Sequence, residues 1–241
     1  TIKARTNTNQ ESINEFDFFT QKKIFDVIHN ELGSNLLVFV DVGSHMGEYI
    51  IQLLKRFNVQ KAYAFEPNPT IFKKLSKNVR NIRNIEIFDN GVGHLNEKKI
   101  LHQNIESSSS SICPLNINSK YYKKKFTILN FFNLKKISKS IEVDLIKLED
   151  FLNNKKIIQV DLLKIDTEGS EFNVLKGLNK SIKKVKLIHL EHHFDDMIIK
   201  NYKLSDIHEY LLNNNFEKIF KIKMKFRKSF EYIYKNKFLV N

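Results

Sequence analysis

The chain is predicted to form an α/β fold: a mostly parallel, doubly wound sheet of seven strands with helices on both faces. An antiparallel hairpin is expected at its carboxyl-terminal edge. Three observations carry this. Short apolar runs alternate along the 241 residues with segments of helical periodicity. A glycine-containing loop, "DVGSHMGEY" (41–49), follows the first apolar run directly. The last two runs, "FEKIFKIK" and "FEYIYKN", show the alternation of half-buried strands.

The elements follow in order. Ile13, Phe16, Ile24, Val27 and Ile28 recur at helical spacing, which predicts a leading helix over 13–31. "LLVFV" (36–40) reads as the first buried strand, and the glycine loop feeds a helix through Phe57. "AYAF" (62–65) is the second strand, closed by Pro67 and Pro69 before a helix over 70–79. "IEIF" (85–88) is the third. An irregular zone from His102 to Ser140 holds the serine run 107–111 and the aromatic, basic stretch "YYKKKFTILNFF"; it reads as a substrate or lid insertion. "IEVDLIKLEDFL" (141–152) reads as a strand running into a short helix. "QVDLLKI" (159–165) and "VKLIHL" (185–190) are the fourth and fifth core strands, with helices expected from Glu171 and over Leu204–Asn213. One domain spanning 1–241, with 1–35 as a helical lead-in, accounts for the whole pattern.

Composition limits the function classes. A single cysteine, Cys113, excludes an internal disulfide and a cysteine-rich zinc site. The apolar runs are far too short to span a bilayer, and the N-terminus lacks a signal-peptide pattern, so a cytoplasmic protein without stable membrane insertion is expected. The formal charge is +13, yet only five of the 40 basic residues are arginine. Lysine lacks the bidentate fork that reads bases and phosphates, so the charge is read as solvated faces and no nucleic-acid partner is expected.

Chemistry concentrates at the strand ends. A dinucleotide fingerprint would need a glycine where Asp41 stands, and a carboxylate there repels a pyrophosphate. It suits a cationic ligand such as S-adenosylmethionine, with Gly43, Ser44, His45 and Gly47 as the rest of the loop. Glu66 ends the second strand, where it can accept two hydrogen bonds from a ribose diol or cap the helix behind Pro67. Asp89 and Asn90, after the third strand, could read an adenine edge or simply form a turn.

"FVDVGSHMGEY", "AFEPNP", "DNGVG", "LLKIDTEGSEFNVLKG" and "LIHLEHH" together resemble the FkbM family of S-adenosylmethionine-dependent methyltransferases, over about Leu37 to His193. The resemblance implies a Rossmann-like, seven-strand class I methyltransferase fold. It also implies O-methylation of a hydroxyl, commonly on a sugar or polyketide. It maps the family's cofactor loop onto Asp41, Gly43 and Gly47 and its ribose acid onto Glu66. Gly91-Val92 stands where family members often carry a small residue such as alanine.

Methyl transfer to a weakly acidic hydroxyl needs a positioned base. The fourth and fifth strand ends offer Asp166, Glu168, Glu191, His192 and His193. His192 or His193 is expected as the base, with Asp166 or Glu191 orienting it, and Asp166 is also a donor-site candidate. Glu171 is read as a charge at a helix start. No metal is expected, the alternative being Mg²⁺ between carboxylates of two strand ends. The expected acceptor is a small molecule or saccharide, such as a sugar of a surface glycan or a nucleotide- or lipid-linked saccharide. The competing classes are a catalytically silent cofactor-binding scaffold and a nucleic-acid methyltransferase. The latter is disfavoured because "IDTEG" replaces the Asn/Asp-Pro-Pro-aromatic motif of amino-methylating enzymes. The aromatic stretch 121–132 is a candidate surface for self-association.

Overall fold

The computed structural model describes residues 19–103, 110–114, 116–120, 122–124, 127, 139–224 and 228–240. The leading helix, α1, covers residues 19–32 and buries Ile24, Phe25 and Ile28. Ile13 and Phe16 of the expected 13–31 helix lie outside the described residues. α1 ends at Gly33, whose φ of +73° lets its N–H reach back to the His29 carbonyl at 2.8 Å.

Strand β1 (Asn35–Val42) leads through the glycine loop to helix α2 (Glu48–Arg56), then β2 (Asn58–Phe65) and α3 (Pro69–Val79). α3 is capped by Asn68, whose side chain accepts from the N–H groups of Thr70 and Ile71, with Pro69 at the first turn. β3 (Ile85–Phe88), β4 (Gly91–Gly93) and β5 (Glu97–Gln103) follow. β6 (Lys139–Lys147) runs into α4 (Leu148–Asn154), then β7 (Val160–Ile165), α5 (Glu171–Leu178) and β8 (Val185–His193). α6 (Leu204–Asn213) precedes the closing strands β9 (Phe216–Lys223) and β10 (Ser229–Asn236).

Seven strands form the main sheet in the order β3-β2-β1-β7-β8-β10-β9. The first five are parallel, while β10 runs antiparallel to both β8 and β9. The expected sheet and hairpin are therefore present, with β10 inserted so that β9 forms the edge. The parallel strands are covered on both faces, which is why they read as continuous apolar runs. One core face holds Val40, Phe65, Leu163, Ile165 and Leu190; the other holds Phe39, Leu53, Ala64, Leu162 and Leu187.

A second, three-stranded sheet, β4-β6-β5, was not anticipated. The strand expected at 141 is real but belongs to this sheet. Its partner Gly91–Gly93 is too short, and Glu97–Gln103 too polar, for a period-2 signal to show. Helix α5 seats the small sheet on the large one through glycine. A Cβ on Gly177 would lie 2.1 Å from the Gly93 carbonyl oxygen, a distance backbone cannot accommodate. Among the described residues no helix is long and apolar enough to cross a membrane.

Gly177→Ala is accordingly expected to destabilise the fold by about 1–3 kcal/mol, the usual cost of overpacking. Urea unfolding should show a lower midpoint, and an unchanged midpoint would mean that α5 does not press on β4.

Candidate active site

The direction in which successive strands are added to the sheet reverses at β1, whose parallel neighbours are β2 on one side and β7 on the other, and such switch points open a crevice at the strand carboxyl ends. Here they enclose a cavity of about 890 Å³. Its wall includes Gly43–His45, Glu66, Pro67, Gly91, Val92, Lys164, Asp166, Glu168, Glu191 and His193. α1 closes one side with Thr20, Gln21 and Ile24.

The glycine loop is shaped by close backbone approach. Gly43 has a φ of +83°, and a Cβ on it would lie 1.8 Å from the Asp166 carbonyl oxygen. Only glycine allows the turns after β1 and β7 to touch there. The N–H groups of Gly43 and Ser44 both donate to the Phe65 carbonyl at 3.0 Å, binding the loop to the end of β2. Gly47, at φ +89°, starts α2. Glu66 accepts from the backbone N–H groups of His45 (3.0 Å) and Asn68 (2.9 Å). Those bonds leave each carboxylate oxygen with accepting capacity. Burial is the main influence on its pKa and raises it to about 7.

The third strand end contributes through its backbone neighbours. Asp89 is exposed and Asn90 half-buried, and the cavity wall here is formed by Gly91 and Val92. An adenine edge at this place would meet β4, one step further along than expected.

Asp41 also sits differently from expectation. It is fully buried and is not part of the cavity wall. Its carboxylate faces the ammonium of Lys164 at 3.5 Å, and Lys164 does line the cavity. Burial pushes the Asp41 carboxyl up, with Lys164 the largest opposing influence. Lys164 reaches Asp166 as well, at 3.3 Å, and lies 4.9 Å from the centre of the Tyr49 ring. Burial alone would lower its pKa, but Asp166, Asp41 and Glu231 together hold it above the ordinary lysine range. The Tyr49 hydroxyl hydrogen-bonds His189 Nδ1 at 2.9 Å, and His189 Nε2 hydrogen-bonds Glu231 at 2.9 Å.

Lys164, Tyr49, His189 and Glu231 thus join the site without having been singled out from sequence. The available signal was a lysine inside "DLLKI" and a histidine inside "LIHL", charged or polar residues in otherwise apolar strands.

Strand alternation separates the two candidate histidines. On β8, His189, Glu191 and His193 face the cavity, whereas His192 points to the opposite side of the sheet, between Phe194 and Tyr202. His192 therefore does not meet an acceptor bound in this cavity. Burial lowers its pKa to about 3, so it is neutral. His193 is ringed by carboxylates: Glu191 at 3.2 Å and Glu168 at 3.4 Å from Nε2, and Asp195 at 3.6 Å from Nδ1. Burial opposes its charge, but Asp195, Glu191 and Glu168 outweigh it and hold the ring as an imidazolium. The histidine on the correct face is thus already protonated.

The turn Asp166–Ser170 is held from several directions. Glu171 is buried and accepts from the Gly169 N–H at 2.7 Å, from the Thr167 hydroxyl at 3.3 Å and from the Tyr202 hydroxyl. It is a structural clamp on the turn as well as a charge at a helix start. Ser111 donates to the Glu168 carbonyl at 2.6 Å, and Cys113 Sγ lies 3.1 Å from the Gly169 carbonyl. These contacts hold Glu168 at a φ of +51°, where a non-glycine residue stores on the order of 1 kcal/mol of strain. Burial raises the Glu168 carboxyl well above its ordinary range, with the His193 charge opposing it. Of the serine run, residues 107–109 lie outside the described residues, as does most of the 121–132 stretch. Among the described residues no group of three or more His, Cys, Asp or Glu side chains is arranged to hold a metal ion.

The strand order and the position of this cavity define a class I, Rossmann-like methyltransferase fold. The family model described as the methyltransferase FkbM domain matches residues 41–218, and the chain belongs to that family. A hexuronic acid methyltransferase, AglP, of Haloferax volcanii is 26% identical over 160 residues, covering 65% of this chain and 56% of that protein. The chain spans just over half the length of the curated relatives it matches. The crystal structure of an FkbM methyltransferase from Methylobacillus flagellatus KT superposes with a TM-score of 0.52 at 16% identity, over 82% of this chain and 43% of that one. M. capricolum TrmK in complex with S-adenosylhomocysteine superposes with a TM-score of 0.50 at 12% identity, over 88% and 67%. Identities this low show a shared fold.

S-adenosylmethionine is the cofactor of this family of methyltransferases, and the residues of the cavity fit it. The volume suits a cofactor with room for a small acceptor. Glu66 has spare acceptor capacity at the end of β2, where a ribose diol would be read. Because its carboxyl titrates near 7, it is protonated below that pH and ionised above it, and only the ionised form accepts from both hydroxyls. Donor affinity should therefore strengthen about tenfold from pH ~6 to pH ~8, while Glu66→Gln should flatten the dependence. Calorimetry across that range checks it, and identical pH profiles for the two proteins would remove Glu66 from the donor site.

Proposed function

We propose that the chain transfers a methyl group from S-adenosylmethionine to a hydroxyl of a sugar, or of a similar small hydroxylated metabolite. The observation that carries this reading is the acidic wall at the β7, β8 and β10 side of the cavity. Beyond Asp166, the carboxylates of Glu168, Glu191, Asp195 and Glu231 all line it. Carboxylates in such a wall accept hydrogen bonds from successive hydroxyls of a polyol. The same wall disfavours the phosphates of a nucleic acid, a far denser array of negative charge than a saccharide presents. The relative that acts on a hexuronic acid supports a saccharide in this role.

The donor supplies an electrophilic methyl on a sulfonium, so the protein's own tasks are placement and proton acceptance. Glu168 takes the hydroxyl proton. Its raised pKa brings its basicity closer to that of a useful base at neutral pH. The His193 imidazolium, 3.4 Å away, balances the carboxylate charge as Glu168 ionises. Glu191 and Asp195 in turn hold His193 in place. Base and counter-charge thus exchange the roles expected from sequence, where a histidine was to accept the proton and a carboxylate to orient it.

Turnover is read as S-adenosylhomocysteine formed with a panel of hexoses, hexuronic acids and their glycosides. Glu168→Gln should lower it by about 10²- to 10⁴-fold, with donor affinity unchanged. Full activity in that variant would sink the base assignment. Methylation of total RNA with no activity on any saccharide would sink the acceptor class.

A further inference from the structure

The sheet's carboxyl edge reads in one direction as a series of chemically distinct stations. Gly91 and Val92 lie beyond β3, Glu66 ends β2, and the glycine loop ends β1. Lys164 and Asp166 stand at the end of β7, followed by the acidic wall on β8 and β10. Neighbouring strands are about 4.8 Å apart, so β2 and β7 are separated by about 10 Å. With a ribose read at β2, the amino-acid end of the donor extends toward β7.

That end is a zwitterion, an α-ammonium beside an α-carboxylate. The cavity wall at β7 carries the matching pair. Asp166 is part of the wall and partly accessible, with 30% of its side chain exposed. Lys164 is nine-tenths buried yet also part of the wall. An ammonium has three N–H donors. One is directed at Asp166, at 3.3 Å, and the Asp41 contact, at 3.5 Å, is an ion pair at the limit of hydrogen bonding. Donor capacity therefore remains on Lys164. Both Asp41 oxygens are buried without a hydrogen-bond partner, so Asp41 acts as a fixed counter-charge behind the lysine. Taken together, Asp41, Lys164 and Asp166 carry one net negative charge. The donor, with its sulfonium, carries one net positive charge.

We propose that Lys164 and Asp166 form a clamp for the amino-acid end of the donor, Lys164 binding its α-carboxylate and Asp166 its α-ammonium. Asp41 is then a positioning residue that acts through Lys164. This assignment rests on the donor-site reading above and adds to it the pairing of Lys164 with Asp166 and the place of Asp41 behind them.

The test compares two ligands by calorimetry: S-adenosylhomocysteine, and 5′-methylthioadenosine, which keeps the nucleoside and thioether but has no amino acid. The unmodified chain should prefer S-adenosylhomocysteine. Asp166→Asn should reduce that preference by about ten- to a hundredfold, mainly by weakening S-adenosylhomocysteine. Lys164→Met strands Asp41 as a buried charge and threatens folding, so the double variant Asp41→Asn/Lys164→Met removes both charges together and should show the same lost preference. Lys164→Arg should retain part of it. An unchanged ligand preference in Asp166→Asn and in the double variant would overturn the clamp, as would equal weakening of both ligands, the result of a purely structural lysine. Failure of both ligands to bind the unmodified chain would overturn the donor site itself, and the clamp with it.

Discussion

A lysine ammonium buried between two carboxylates organises the functional edge of this protein. Residues Asp41, Lys164 and His189 lie side by side on β1, β7 and β8 because the strands pair in that register. A one-residue slip of β7 would turn Lys164 into the opposite core, against Val40, Val42, Ile188 and Leu190 of the flanking strands. An unpaired charge in such surroundings costs several kcal/mol, so the ion pair restricts the register as much as the apolar packing does. The cavity wall, the position of Asp166 and the placement of the Tyr49 ring beside Lys164 all follow from that row.

The acid-rich turn after β7 depends on a second constraint, contact between loops distant in sequence. Gly43 touches the Asp166 carbonyl, Glu171 gathers the Gly169 N–H and two hydroxyls, and Ser111 fixes the Glu168 carbonyl. Each carboxylate in this short segment has a different partner and a different degree of burial. Asp166 faces a lysine and the cavity, Glu168 faces an imidazolium, and Glu171 is consumed by structure. An acidic cluster that would be costly if uniformly buried is tolerable because its charges are distributed among separate partners.

Much of the fold was legible in the sequence because its signals are local. Apolar runs, helical spacing, the glycine loop and the proline-closed second strand mark the elements in place. The second sheet was not legible: its β4 strand is three residues long, and β5 alternates too weakly to stand out. The cavity-lining residues at strand ends, Glu66, Asp166, Glu168, Glu191 and His193, were also legible as polar residues that end apolar runs. Lys164, His189 and Glu231 sit inside strands, where a polar residue could equally be a solvent-facing one on an edge strand.

By itself the sequence determined the class of fold and which polar residues stand at the strand ends, since these depend on periodicity and on side-chain type. Only the tertiary structure decided which of those residues act together. It turned His192 away and His193 inward, placed Asp41 behind Lys164, and set Glu168 in the cavity wall beside the His193 ring. The reason is physical: side-chain direction depends on strand pairing, and charge state depends on burial and neighbours. Both are set by residues far apart in the chain.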